Sequence, residues 1–468
     1  MALHPRLFIW VPLVVVGWIL GSEEVARASE GVALRVGVFE ADVTLPLGHP
    51  CYPSYQPLET TEFPLLAKGI VLDDGETRYV ICAVDWCEIC NGAHEMVRET
   101  IAAAVGSAPE RVAVQCVHQH TAPMAVLDAQ RILDTTNDSP LAFDESVMTT
   151  LFDKMAAAAS KAADNLEPCS HIGTSQAKVD RVASNRRIPK GDGLVRTRYS
   201  SCTDPELRAE PEGLIDPMLK SITFAHNDKP LVRLHYYATH PQSFYGDPRQ
   251  GWDFVGIARE RLEDREGIPQ IYFTGCAGDV ACGKYNDRSR RARKELTERL
   301  FAALKASAAA TEYQPVDSLC WRTHDLMAPP REYDVEELKA KIADPDQPLK
   351  QRVSAAQDLA FVQRQREPFQ LSSLQLGNVY MLHLPGEPCI EYQLYAQQRR
   401  PEAFVAVAGY ADGGCGYICL ERMFAEGGYE PTASRFAPEA EAPTRAAIRA
   451  LLGQSLDPAP AAPSSGAE

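Results

Sequence analysis

Basic residues are outnumbered in this chain of 468 residues, 47 against 63 acidic, for a formal net charge of −16. That balance excludes a surface built to hold a polyanion, so nucleic acid is not an expected partner. Long apolar runs are missing after residue 28, whereas a bilayer-spanning helix needs about 20 apolar residues. No period of about 20–50 residues recurs, which excludes solenoid and propeller arrays. The phosphate-cradling loop signature requires Ser or Thr after its Gly-Lys, but Gly283-Lys284 is followed by Tyr285. The GxSxG turn of serine hydrolases is absent. Cys87 and Cys90 form a CxxC, yet no second CxxC lies at a zinc-finger distance, and Cys415 with Cys419 makes only another close pair. The 13 cysteines are therefore read as disulfides or buried thiols, with at least one unpaired because the count is odd. Histidine is scarce too, at 11 copies, which makes its placement informative.

What remains is a globular composition, 45% hydrophobic and 24% charged. The first 28 residues stand apart. Arg6 precedes the apolar run LFIWVPLVVVGWILG, and Ala26-Arg27-Ala28 fits a small-x-small cleavage site. This predicts a signal peptide over 1–28 and an exported protein, periplasmic or extracellular, with no membrane span after cleavage. The Pro/Ala/Ser-rich stretch 455–468 predicts a disordered tail.

Between them, β-rich runs alternate with amphipathic segments, which predicts an α/β fold with a mixed sheet and surrounding helices. Strands are expected at 34–38, 67–72, 79–84, 112–118, 221–225, 231–237, 270–273, 372–376, 379–384 and 403–407. Helices are expected at 93–104, 147–165, 253–263, 289–308, 335–343, 351–365, 388–399 and 443–452. The polar stretch 183–212 reads as a long surface loop. No linker divides 31–454, so one large domain is expected.

Five segments carry chemistry. VHQHTAP places His118 and His120 at the end of an apolar strand, where residues i and i+2 share a face. Alone, the pair is either a metal site or a hydrogen-bonded structural pair. LVRLHYYATHP ends on His240 just before Pro241, with His235 expected on the opposite face; His240 is either a ligand or the close of a turn. LPGEP places Glu387 at the predicted N-cap of a helix starting at Pro388. Glutamate is a poor cap residue, so it serves either for its carboxylate or for the helix dipole. GYADGGCGYICLERMFAEGGYE carries Tyr410, Tyr417 and Tyr429 among glycines. FTGCAGDVACG runs from a strand into a glycine-rich turn suited to presenting backbone N–H groups.

Together these segments resemble the neutral/alkaline, non-lysosomal ceramidase family over about Val36 to Phe436. VHQHTAP resembles its histidine motif (THTHSGP or THTHSAP), ATHP its second histidine site, LPGEP its glutamate motif and AGDVACG its GDVSPN hexapeptide. The resemblance implies one Zn²⁺ held by His118, His240, Glu387 and Tyr417. It implies His120 as general acid or base, and Tyr429, Arg186 of SNRRIP and the backbone at Gly278 as partners of the oxyanion. One position departs: Ala281 stands where the family has a catalytic serine. A metal-bound water is then the expected nucleophile. The family also has a C-terminal β-sandwich domain, and this sequence stops about where that domain would begin. The expected function is an exported zinc-dependent amidohydrolase acting on a small-molecule or lipid-like substrate, an N-acyl lipid or related amide, in or near sphingolipid metabolism. Transient membrane-surface contact fits such a substrate. The alternative is a zinc-containing binding protein without turnover.

Overall fold

A computed structural model describes residues 33–246 and 248–454. The predicted signal peptide and tail lie outside them. The fold is mixed α/β and is built from three units of the same topology. In each, three consecutive strands form an antiparallel meander, and a crossover helix then leads to a fourth strand parallel to the third.

In the first unit the strands are Arg35–Asp42, Leu66–Asp73, Arg78–Val84 and Val112–Cys116, with the crossover helix Gly92–Val105. The second unit has His171–Lys178, Met218–His226, Lys229–Tyr237 and Gln270–Thr274, with the helix Phe254–Glu266. The third has Leu319–Leu326, Phe369–Leu376, Val379–His383 and Phe404–Ala408, with the helix Ile390–Arg399. A further helix follows each unit and packs back on its first strand: Glu145–Ala163, Arg290–Ala309 and Glu441–Leu451.

Local sequence explains these elements. Met148, Leu151, Phe152, Met155, Ala156 and Ala159 recur at three- and four-residue spacing and bury one face of the helix Glu145–Ala163. Its start is fixed by the Asp144 carboxylate, which accepts from the N–H groups of Ser146 and Val147. The crossover helix of the first unit stops at Gly106, whose φ of 68° is the left-handed C-terminal signal.

The parallel strand pairs of the three units meet at their carboxyl ends in a closed ring of hydrogen bonds. Cys116 N–H donates to Tyr410 C=O at 2.8 Å and Gly409 N–H to Thr274 C=O at 3.0 Å. The Thr274 hydroxyl donates to Val117 C=O at 2.6 Å. In sheets of this kind, ligands bind outside the carboxyl ends of parallel strands. Here three such ends face one place.

Most predicted elements fall within a few residues of those observed, but three expectations need correction. The strand predicted over 112–118 ends at Cys116. Glu387 is not a helix N-cap, because the helix begins at Ile390 and Cys389 occupies that position. The stretch 183–212 is not a loose surface loop. It contains the hairpin Arg187–Pro189 with Val195–Thr197 and buries Arg186, Arg187 and Arg198. His171–Lys178 and Leu319–Leu326 are strands that the sequence pattern did not signal. All 13 cysteines are buried free thiols, so burial rather than disulfide bonding accounts for them.

Candidate metal centre

His118 lies just past the fourth strand of the first unit. Its φ of 66° is left-handed, which is strained for a residue with a Cβ. The turn is held by its own N–H, which donates to Trp86 C=O at 2.9 Å. The ring Nδ1–H donates to Cys87 C=O at 2.9 Å, so Nε2 carries the lone pair. Tyr410, also at positive φ (63°), stacks on this ring at 4.2 Å between centroids.

His240 follows the third strand of the second unit and is fully buried. Its Nδ1 meets Ala277 C=O at 2.7 Å. Its Nε2 therefore also points outward, 3.0 Å from Oε2 of Glu387. His118 Nε2 lies 3.3 Å from the same oxygen and has no hydrogen-bond partner. One ligand atom from each of His118, His240 and Glu387 lies within 4.8 Å of the others, and all three residues are buried.

Two buried imidazoles, each oriented by a backbone carbonyl and each presenting Nε2 to one carboxylate, are a donor set that could hold a metal ion, with orienting outer-shell contacts in place. Cys87 with His118 and His120 makes a second possible group. It suits a metal less well, because the nitrogen of His118 nearest the sulfur already donates to a carbonyl and burial holds the Cys87 thiol well above its ordinary pKa.

Glu387 sits on a two-residue parallel ladder whose rungs pair Glu387 with Tyr417 and Pro388 with Ile418. The turn before it needs Gly386, at φ 57°, where a Cβ would collide with Cys415 Sγ and Gly416 C=O. The ladder places Tyr417 beside the carboxylate, on the wall of a cavity of about 350 Å³. Its hydroxyl accepts from Arg186 Nη2 at 3.2 Å. The same cavity is lined by His118, His120, Arg186, Glu387 and Tyr429, with Tyr52, Tyr199, Phe244 and Tyr245 adding an aromatic rim.

His120 reaches the cavity although the strand has ended, because the left-handed turn at His118 keeps both rings together at 4.9 Å between centroids. Both its ring nitrogens are buried without partners. Burial and the neighbouring His118 and His240 hold its pKa well below the usual imidazole value, so it is neutral. For His240, burial and then the Arg186 charge lower the pKa to about 4. Burial alone would raise Glu387, but facing His118 and His240 holds its carboxyl well below the carboxylate range.

Arg186 is buried under both tyrosines, its guanidinium 5.4 Å from the ring centroids of Tyr417 and Tyr429. Nε donates to Glu430 at 3.1 Å, and Nη2 also bonds Gly278 C=O. Arg187 adds a second bond to the fully buried Glu430 at 2.9 Å. Gly278 does not match its expected role: its N–H already donates to Pro388 C=O at 2.9 Å. Its lack of a side chain serves close packing instead, since a Cβ there would strike Glu387 C=O. Ala281 is fully buried and does not line the cavity.

The sequence pattern did not signal Glu88 or Glu430, and it offered Tyr410 only as one of three tyrosines among glycines. Glu88 lines the cavity with Oε1 3.9 Å from His118 Nδ1, and burial with the charge of Glu387 pushes its pKa up to about 7. A single acid in the two-residue strand Glu88–Ile89 has no periodicity, so no sequence signal marks it.

The fold of three converging sheets is similar to that of solved neutral ceramidase structures. The crystal structure of neutral ceramidase from Pseudomonas aeruginosa matches with a TM-score of 0.64 and 16% identity, covering 93% of this chain and 77% of that one. A ceramidase complexed with C2 matches with a TM-score of 0.63 and 15% identity, covering 92% and 77%. No family model matches the sequence, and no curated protein does. At these identities the likeness is one of fold.

Proposed function

We propose that this chain is an exported zinc-dependent hydrolase that cleaves an amide in an N-acyl lipid or related compound. One observation carries the reading: the Nε2 atoms of His118 and His240 converge on Glu387 beside an open cavity, and His118 Nε2 is left without a partner. Those three residues, with Tyr417 on the adjoining rung, would hold the metal. When bound, zinc supplies Lewis acidity toward a carbonyl and makes water a stronger acid.

The chain's own residues supply the rest. His120 is neutral with both nitrogens unpartnered in the cavity, so it can take a proton at one nitrogen and return it to a leaving amine. Arg186 and Tyr429 stand where negative charge on a carbonyl oxygen would be met by a guanidinium and a phenol O–H. The aromatic rim excludes water and favours an acyl chain. A second reading, a zinc-holding binding protein, is favoured by Ala281, which offers no hydroxyl to the reaction.

The deciding experiment is elemental analysis of the purified chain with hydrolysis assays on N-acyl substrates, with and without chelator. Stoichiometric zinc and chelator-sensitive turnover support the hydrolase. Zinc without turnover selects the binding protein. No metal after zinc is supplied removes both.

A further inference from the structure

A second cavity, of about 280 Å³, adjoins the first. It shares Tyr52, Glu88, Tyr245, Glu387, Tyr417 and Tyr429 with the first cavity, so the two chambers are continuous along those residues. Beyond the shared residues their chemistry differs. One wall of the second chamber is a single face of the helix Leu349–Arg364, presenting Lys350, Ser354, Gln357 and Asp358 at helical spacing. The opposite wall carries Arg331 and Arg435.

The charges there are unevenly matched. Arg435 is paired with Asp358 at 3.0 Å. Glu387 faces the histidines, and Glu88 accepts from the Cys90 thiol at 3.4 Å. Arg331 meets only backbone carbonyls, of Thr432 and Ser434, and the Tyr333 ring. Lys350 lies 5.9 Å from the centre of the Tyr245 ring. Among the described residues neither cation meets a carboxylate at ion-pair distance. Both are exposed on this polar chamber, one step from where the reacting bond would lie.

We propose that the second chamber receives an anionic head group, a carboxylate or a phosphate, while the acyl part of the same molecule occupies the aromatic chamber. A substrate spanning both would place its amide at Glu387 and Tyr417. This rests on the hydrolase reading, and it narrows the substrate class to N-acylated anionic amines rather than neutral ones. Arg331 and Lys350 are the specificity residues, and neither belongs to the metal or proton-transfer set.

The test uses three probes of one acyl length: N-lauroylglycine, N-lauroyl-O-phosphoethanolamine and the neutral N-lauroylethanolamine. Each is assayed for kcat/KM and, by calorimetry, for binding to the zinc-loaded chain. Parent protein is compared with Lys350→Gln, Arg331→Gln and the double variant. At least one anionic probe should be preferred over the neutral one by about tenfold or more, since charge-assisted contacts are roughly twice as strong as neutral ones. The double variant should lose most of that preference, with the neutral probe unchanged within about twofold. The carboxylate and phosphate arms show which anion is taken. Equal or better use of the neutral probe by the parent overturns the proposal and leaves the hydrolase intact. If none of the probes is cleaved, binding decides: anion binding lost in the double variant upholds the chamber while the hydrolase reading fails, and no anion binding overturns the chamber.

Discussion

Glu430 is a fully buried carboxylate gripped by two buried arginines. Glu430→Gln keeps the shape, removes the charge and turns an amide NH₂ toward a guanidinium. Arg187 retains Glu426, 2.9 Å away and partly exposed. Arg186 retains only Tyr417 and a backbone carbonyl. Removing one partner from a buried ion pair costs about 3–5 kcal/mol, because the remaining charge is left desolvated. Arg186 bears most of that loss, so Glu430→Gln should destabilise the chain by about 3 kcal/mol or more in chemical denaturation. The double-mutant cycle with Arg186→Gln should return a coupling of about 2–3 kcal/mol. The exposed pair Arg291–Glu295 serves as control, expected to return a far smaller coupling because solvent screens it. A Glu430→Gln variant within about 1 kcal/mol of the parent would refute the idea that this triad anchors Arg186.

His118→Ala and Glu387→Ala should each abolish zinc binding, read by elemental analysis; full zinc content in both would sink the ligand assignment. Ala281→Ser should keep full zinc content, since the residue does not line the cavity, and metal loss would mean that it braces His240, with which it forms a backbone bridge. Burial lowers the pKa of His94 and His383 to about 3 and of His235 to about 4. The unfolded chain then binds more protons between about pH 6.5 and 3, so stability should fall as pH drops through that window, by up to about 1.4 kcal/mol per unit for each histidine. Denaturation midpoints across that range check it, and His235→Gln should flatten the slope.

His118, His240 and Glu387 were legible because each follows an apolar strand and precedes a turn, and the structure brings all three together. Tyr417 was reachable only through resemblance, since a tyrosine among glycines has no distinguishing period. The convergence itself could not be read: it joins residues over 200 positions apart, and nothing local encodes it. The strand His171–Lys178 was hidden for another reason. Its buried Ser175 hydroxyl bonds Ser307, which in turn bonds Ser221, so a polar residue occupies a core position and breaks the alternation that signals a strand. The left-handed turn at His118 was also invisible, because it is imposed by the Trp86 carbonyl and the Tyr410 ring.

The three-unit plan has a consequence for assembly. The first unit brings His118, the second His240, the third Glu387 and Tyr417. No single unit owns the candidate site, so under the proposed function metal capture would act as a tally of completed docking: a chain with one unit misplaced would register as metal-free. Zinc would then act as a keystone set last, and loaded protein would report that all three arches stand.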